Sequence, residues 1–238
     1  MKIDICLSPA LYPFYKQEND IVIAVDIFRA TTTICTMFEN GALAVFPVAS
    51  ADEAKEYKAK GYIVGGERDT KKIDFADFGN SPFDYKREIV EGKELVFTTT
   101  NGTYAIDMAK DSKIVFAGAF SNIDVLANRC AEIGGRVVVL CAGWRDKVNI
   151  EDTLFAGAFA SKLSKIINNL EIGSDSVRIA LELWESAKSN PINYIKTSDH
   201  YKRLINNGAE GDIPYCFQEN TTSVVPWYSK DEKKMRID

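Results

Sequence analysis

Short β-branched runs alternating with punctuated helical stretches constrain this chain more than any other feature. Residues Ile3 to Leu7, Ile21 to Val25, Ala42 to Val48, Tyr62 to Val64, Glu94 to Thr98, Lys113 to Phe116 and Arg136 to Cys141 read as strands. Several are apolar at consecutive positions, as a sheet covered on both faces requires. Between them, Ser50 with Glu53 forms a capping box and Gly61 ends that helix. Ser81 is an N-cap before Pro82 at the first helical position, with Gly92 beyond, and Ser121 caps a helix that runs toward Gly134. This spacing implies an α/β sheet with helices on both faces. From about Glu151 the pattern turns to a more helical C-terminal third, with a final short strand expected near Asp212 to Phe217. No linker or composition break divides the chain, so residues 1–238 are expected to form one domain.

Composition narrows the function classes. A net charge of -5 gives no electrostatic reason to bind nucleic acid or an anionic membrane. The five cysteines are odd in number and sit in apolar surroundings such as VVVLCAG, which reads as buried thiols in a reducing compartment. The first residues carry Asp4 and lack a continuous apolar core, so no signal peptide is apparent. Apolar runs fall far short of the roughly 20 residues of a membrane helix. The expectation is a cytoplasmic protein; its apolar helical C-terminal third could pack into the same core or against a second copy, which favours a homodimer.

Three strand-to-helix junctions carry polar groups: VDIFRATTT, LVFTTTNGTYA and VLCAGWRDKVNIEDTLFAG. In an open α/β sheet such junctions face one crevice, where helix N-termini and backbone amides favour an anion, phosphate in particular. Two threonine triplets exceed what helix capping needs and add hydroxyl donors. No GxxxxGK[ST] stretch is present, and Lys147 stands six residues after Cys141 where a cysteine phosphatase needs arginine. Phe28 occupies the position two after Asp26 where a haloacid-dehalogenase-type enzyme needs a second aspartate. A single histidine, His200, excludes any two-imidazole mechanism. Carboxylates, arginines and a divalent metal remain.

The stretches VDIFRATTTICT, GGERD, FGNSP, TTTNGTYA, GAFSN and NIEDTLFAG resemble, in order, the motifs of the 2-phosphosulfolactate phosphatase family. The resemblance runs through residues 22 to 157 and continues in SDHYKRLINNGAEGDIPYC. It implies a three-layer α/β/α architecture with a mostly parallel or mixed central sheet, a Mg2+ requirement and a place in coenzyme M biosynthesis. The implied substrate is a small anionic phosphoester of a 2-hydroxy acid bearing a carboxylate and often a sulfonate. Tyr104 stands where that pattern often carries arginine.

Individual roles follow from residue type and place. Asp26, at the end of an apolar strand, is a magnesium ligand or a nucleophile, or else an N-cap. Arg29 would stabilise charge on the transferring phosphoryl oxygens, or form a surface salt bridge. Of the neighbours Glu151 and Asp152, Asp152 is favoured as metal ligand or water-positioning base; both would also suit a helix dipole. Glu67 and Arg68, read as a loop after Gly65-Gly66, would put a carboxylate on the metal and a guanidinium on the substrate acid group, or form an ordinary ion pair. Thr31, Thr32, Asn80, Ser81, Thr99, Thr100 and Asn101 are anion-binding donors, and Gly102 lets the backbone approach closely. His200 lies in an exposed-looking helical stretch, solvent-facing or capping, although the family pattern also places a histidine there and makes it a substrate-binding candidate. A metal bridging Asp26 to another carboxylate, Glu67 or Asp152, would orient a water or the Asp26 carboxylate itself for in-line attack. The competing class is a non-catalytic sensor that binds a phosphorylated or sulfonated metabolite.

Overall fold

The computed structural model describes residues 1–238. Eleven strands form one mixed sheet in the order β5-β4-β6-β3-β11-β10-β7-β2-β8-β1-β9. These are β1 Lys2–Cys6, β2 Ile21–Val25, β3 Ala44–Pro47, β4 Ile63–Arg68, β5 Lys71–Lys72, β6 Glu94–Thr98, β7 Ile114–Gly118, β8 Arg136–Cys141, β9 Glu171–Ile172, β10 Trp227–Ser229 and β11 Lys234–Arg236. Two parallel blocks, β4-β6-β3 and β7-β2-β8-β1-β9, are joined by the antiparallel hairpin of β10 and β11. All seven strands read from sequence are present. The four extra ones are two or three residues long, too short to show a period of two.

Alternate residues of each central strand serve opposite faces. Ile21, Ile23 and Val25 of β2 pack with Val137, Val139 and Cys141 of β8 in one core, together with the helices Ile123–Ile133 and Ile150–Ile166. Val22 and Ala24 join Val138 and Leu140 in a second core, under the helices Ala30–Glu39 and Gly102–Ala109. Both faces are therefore covered, the three-layer α/β/α arrangement. Asp4 is the polar exception inside β1; Arg136 reaches it at 2.8 Å and Asp20 at 2.7 Å, so one guanidinium bridges two buried carboxylates toward the amino ends of β8 and β2.

Local punctuation is partly corrected. The Ser50 hydroxyl accepts from the amides of Asp52 and Glu53, and the chain leaves that helix through Gly61 at φ +88°. Ser81 precedes a 3-10 turn but caps nothing, and Asn122, not Ser121, leads the helix Ile123–Ile133. Residues Asp212–Cys216 are a helix, not a strand: Ile213 and Cys216, three positions apart and so on one helical face, both join the core. Glu67 and Arg68 belong to β4 rather than to a loop.

Candidate active site

Asp26 follows β2 immediately, where the sheet register holds the strand ends together: Val25 pairs with Gly118 on one side and Cys141 on the other, and the Ala142 amide donates to the Val25 carbonyl at 2.7 Å. The turn from Asp26 into the next helix is closed by its own threonines. Thr31 Oγ1 donates to the Asp26 carbonyl and accepts from the Asp26 amide, both at 3.0 Å. Thr32 Oγ1 donates to the Ile27 carbonyl at 3.1 Å, and Thr33 Oγ1 to the Asn80 carbonyl at 2.9 Å. The hydroxyl protons of Thr31 and Thr32 are thus spent on the backbone of the turn, and Thr33 ties the helix to the loop at Asn80. The peptide bond Phe28–Arg29 is cis.

The Asp26 carboxylate is 5% exposed and lies against the start of the helix Gly102–Ala109. A Cβ on Gly102 would come within 2.8 Å of Asp26 Oδ2 and 2.4 Å of the Ala30 Cβ, so glycine is required by close approach. Burial above all pushes the Asp26 carboxyl up to about 7; the His200 charge opposes this, while the charges of Glu67 and Glu151 add to it.

Two of the neighbouring acids, Asp152 and Glu67, are turned to main-chain amides. Asp152 accepts from the Ile27 amide at 2.9 Å and the Gly143 amide at 3.0 Å, tying together the loops after β2 and β8. Burial, then the charges of Glu151 and Asp26, push its carboxyl well up. Glu67 accepts from the amides of Thr100 and Thr70, each at 2.7 Å. Thr99 is engaged with Thr103 through reciprocal bonds of 3.1 Å, and Asn101 Oδ1 accepts from the Arg145 amide at 3.1 Å. No group of three His, Cys, Asp or Glu side chains is arranged to hold a metal ion on protein ligands alone.

The cations sit differently from their sequence reading. Arg68 donates to the carbonyls of Glu67 and Ala49 and to Thr98 Oγ1, which turns it into a brace between strands. Arg29 is neither exposed nor free: its guanidinium is paired with Asp212 in the interior, both side chains 6% exposed. Ser81 Oγ donates to the other Asp212 oxygen at 2.7 Å. The sequence does not mark Asp212 as the partner of Arg29, since nothing local identifies the counter-ion of a residue 183 positions away. Two buried atoms in this corner, Arg29 Nε and Asn80 Oδ1, have no partner. His200 is not solvent-facing but 4% exposed, its Nδ1 bonded to Glu151 Oε1 at 2.6 Å and its ring edge-on to Phe28. A groove of about 580 Å³ beside Ser50, Tyr57 and Tyr228 contains none of these site residues.

A sheet covered on both faces, with buried carboxylates and two helix starts at its strand ends, places this chain among α/β proteins with a polar cluster at the carboxyl edge of the sheet. A family model described as 2-phosphosulpholactate phosphatase matches residues 6–231. A protein of Clostridium beijerinckii named probable 2-phosphosulfolactate phosphatase is 35% identical over 237 residues, covering 98% of each chain. Proteins of the same name from Clostridium novyi and Clostridium kluyveri are 34% and 36% identical, over 95% and 96% of this chain and 96% and 95% of their own. The chain belongs to the 2-phosphosulfolactate phosphatase family, a family of phosphoric monoester hydrolases. No helix is long and apolar enough to cross a membrane.

Proposed function

We propose that this chain is a magnesium-dependent phosphatase that hydrolyses 2-phosphosulfolactate to sulfolactate and phosphate. The observation that carries the reading is Asp26: a buried carboxylate at the carboxyl end of a central strand, pressed against the first turn of a helix through Gly102. Magnesium ordinarily takes one or two protein carboxylates and fills its octahedron with water and substrate phosphate oxygens, so three converging protein ligands are not needed. The donor set fits that demand. Asp26 is crowded by the negative charges of Glu67 and Glu151, and the oxygens of Glu67 and Asp152 keep lone pairs beyond their amide bonds. Asp26 would hold the ion with Glu67 and Asp152 as the neighbouring carboxylates, and the bound ion would neutralise the phosphate dianion. The starts of the helices Ala30–Glu39 and Gly102–Ala109 favour the same group through their dipoles. Asp152, by holding the Ile27 and Gly143 amides, keeps Asp26 and the loop after β8 in fixed relation.

The test is hydrolysis of p-nitrophenyl phosphate against magnesium concentration, in the wild type and in Asp26→Asn. The wild type should require the ion, and the variant should lose at least about 100-fold in kcat/KM, the scale of a group that acts in the transition state. Full activity in Asp26→Asn would remove Asp26 from the reaction. No hydrolysis at any magnesium concentration, with sulfolactate still raising the melting temperature, would favour the sensor.

A further inference from the structure

Glu151 and His200 form a buried ionisable pair near Asp26. Glu151 is fully buried, and its one hydrogen-bonded partner is His200, whose Nδ1 lies 2.6 Å from Glu151 Oε1; the other oxygen, Oε2, has none. A carboxylate taken out of water is costly unless an opposite charge meets it, and packing alone does not call for one here. Perturbed pairs of this kind gather where proteins do chemistry. The fold sets the position: Glu151 stands in the first turn of the helix Ile150–Ile166, beside Asp152, whose oxygens hold the Ile27 and Gly143 amides. One helical turn therefore carries the pair to the loops after β2 and β8.

The imidazole is fixed in plane as well as in place. Phe28, two residues after Asp26, meets it edge-on with ring centroids 5.6 Å apart, and Trp144 of the loop after β8 stands 6.0 Å away. Nδ1 is taken by Glu151, with the Asn149 amide nitrogen 3.3 Å off. Nε2 has no hydrogen-bond partner, yet it is not among the polar atoms sealed from solvent. Of the charges around Asp26, that of His200 acts on its carboxyl most strongly, ahead of Glu67 and Glu151, which places the ring close to the crevice. In the imidazolium, Nδ1–H donates to the Glu151 carboxylate, the pair buries no net charge, and the Nε2 proton is left to give. Hydrolysis of an alkyl phosphate needs such a proton, because the departing alkoxide is a strong base.

We propose that His200 is the general acid of the reaction, giving its Nε2 proton to the ester oxygen as that oxygen leaves phosphorus, and that Glu151 is the residue that positions it. The assignment rests on the phosphatase reading and adds to it the group that lets an alkoxide depart. When the bond from phosphorus to the ester oxygen breaks, its electron pair stays on that oxygen, which takes the Nε2 proton and becomes the hydroxyl of the product. The water consumed in the turnover gives its oxygen and one hydrogen to the phosphate, and its second proton returns to Nε2.

The experiment varies the leaving group in the wild type, His200→Gln and Glu151→Gln. Three esters are compared by kcat/KM: 2-phosphosulfolactate, which releases an alkoxide; phenyl phosphate; and p-nitrophenyl phosphate, whose nitrophenolate is a stable anion that leaves without a proton. The two aryl esters are close in shape, so their ratio reads leaving-group basicity and not fit. In His200→Gln the loss should grow with that basicity, and kcat/KM for 2-phosphosulfolactate divided by that for p-nitrophenyl phosphate should fall at least about 100-fold, the lower end of what a positioned acid contributes. Glu151→Gln, acting only through His200, should move both ratios the same way by less. Equal losses on all three esters would make the pair a structural one and overturn the assignment, as would no loss on any. If His200→Gln does not fold, the ratios in Glu151→Gln decide alone. A wild type that cleaves only the aryl esters loses the sulfolactate assignment, and their ratio still decides the acid. A wild type that cleaves none of the three removes the phosphatase reading, and the acid falls with it.

Discussion

Adding one methyl group at Gly102 tests the arrangement of the crevice at its tightest point. In Gly102→Ala the new Cβ would stand 2.4 Å from the Ala30 Cβ, 2.8 Å from Asp26 Oδ2 and 3.1 Å from the Asp26 Cβ. Carbon atoms pack at about 3.5 to 4.0 Å, so the two helix starts must separate by about 1 Å, or Asp26 must turn away. Overpacking of this kind costs about 1 to 3 kcal/mol. Gly102 is the first residue of its helix, so little helix propensity is regained, that gain belonging to helix interiors. The net loss of stability is then about 1 to 3 kcal/mol, whereas displacing a reacting group by about 1 Å costs about 100-fold in rate. The reasoning therefore predicts a protein that folds and barely works. Urea denaturation gives the first quantity, and kcat/KM for p-nitrophenyl phosphate with magnesium gives the second. Adding Ala30→Gly removes the 2.4 Å contact but not the one to Asp26, so the double variant should regain less rate than the Ala30 contact alone would suggest. If Gly102→Ala works within threefold of the wild type, the backbone does not confine Asp26 and the account of this crevice is wrong.

Asp212→Asn leaves the buried Arg29 guanidinium without its counter-charge and should lower the unfolding free energy by about 3 to 5 kcal/mol; a change below about 1 kcal/mol in urea would show that the pair is hydrated. The cysteines give a pH signature. Burial pushes Cys35 and Cys130 up to about 12, and Cys6 up to about 11, from an ordinary 9.0. The folded state thus holds these protons longer than the unfolded chain, so their contribution to stability is complete below about pH 9 and is lost as pH rises toward 12. The native protein should leave all five thiols unreacted with a disulfide reagent at pH 8, and a fast-reacting thiol in the folded state would contradict the burial.

The legible part of the molecule was that governed by local rules. VDIFRATTT announced a strand end, a carboxylate and a helix start, and each is there. What failed was the assignment of partners to polar groups. Thr31 and Thr32 looked like anion donors because a sequence shows hydroxyls without showing the carbonyls that take them. His200 looked exposed because its helix, DHYKRLIN, is strongly polar; Phe28 and Glu151, which cover it, come from the far side of the chain.

By itself the sequence determined the alternation of strand and helix, the covering of the sheet on both faces and the family, because hydrophobic period and capping residues act within a few positions of themselves. Tertiary structure alone decided how the charges are partnered: that Asp212 neutralises Arg29, that Asp152 and Glu67 hold amides, and that Glu151 meets His200. The physical reason is that burial and charge pairing depend on distances between residues remote in the chain, which exist only once the sheet has brought its strand ends together.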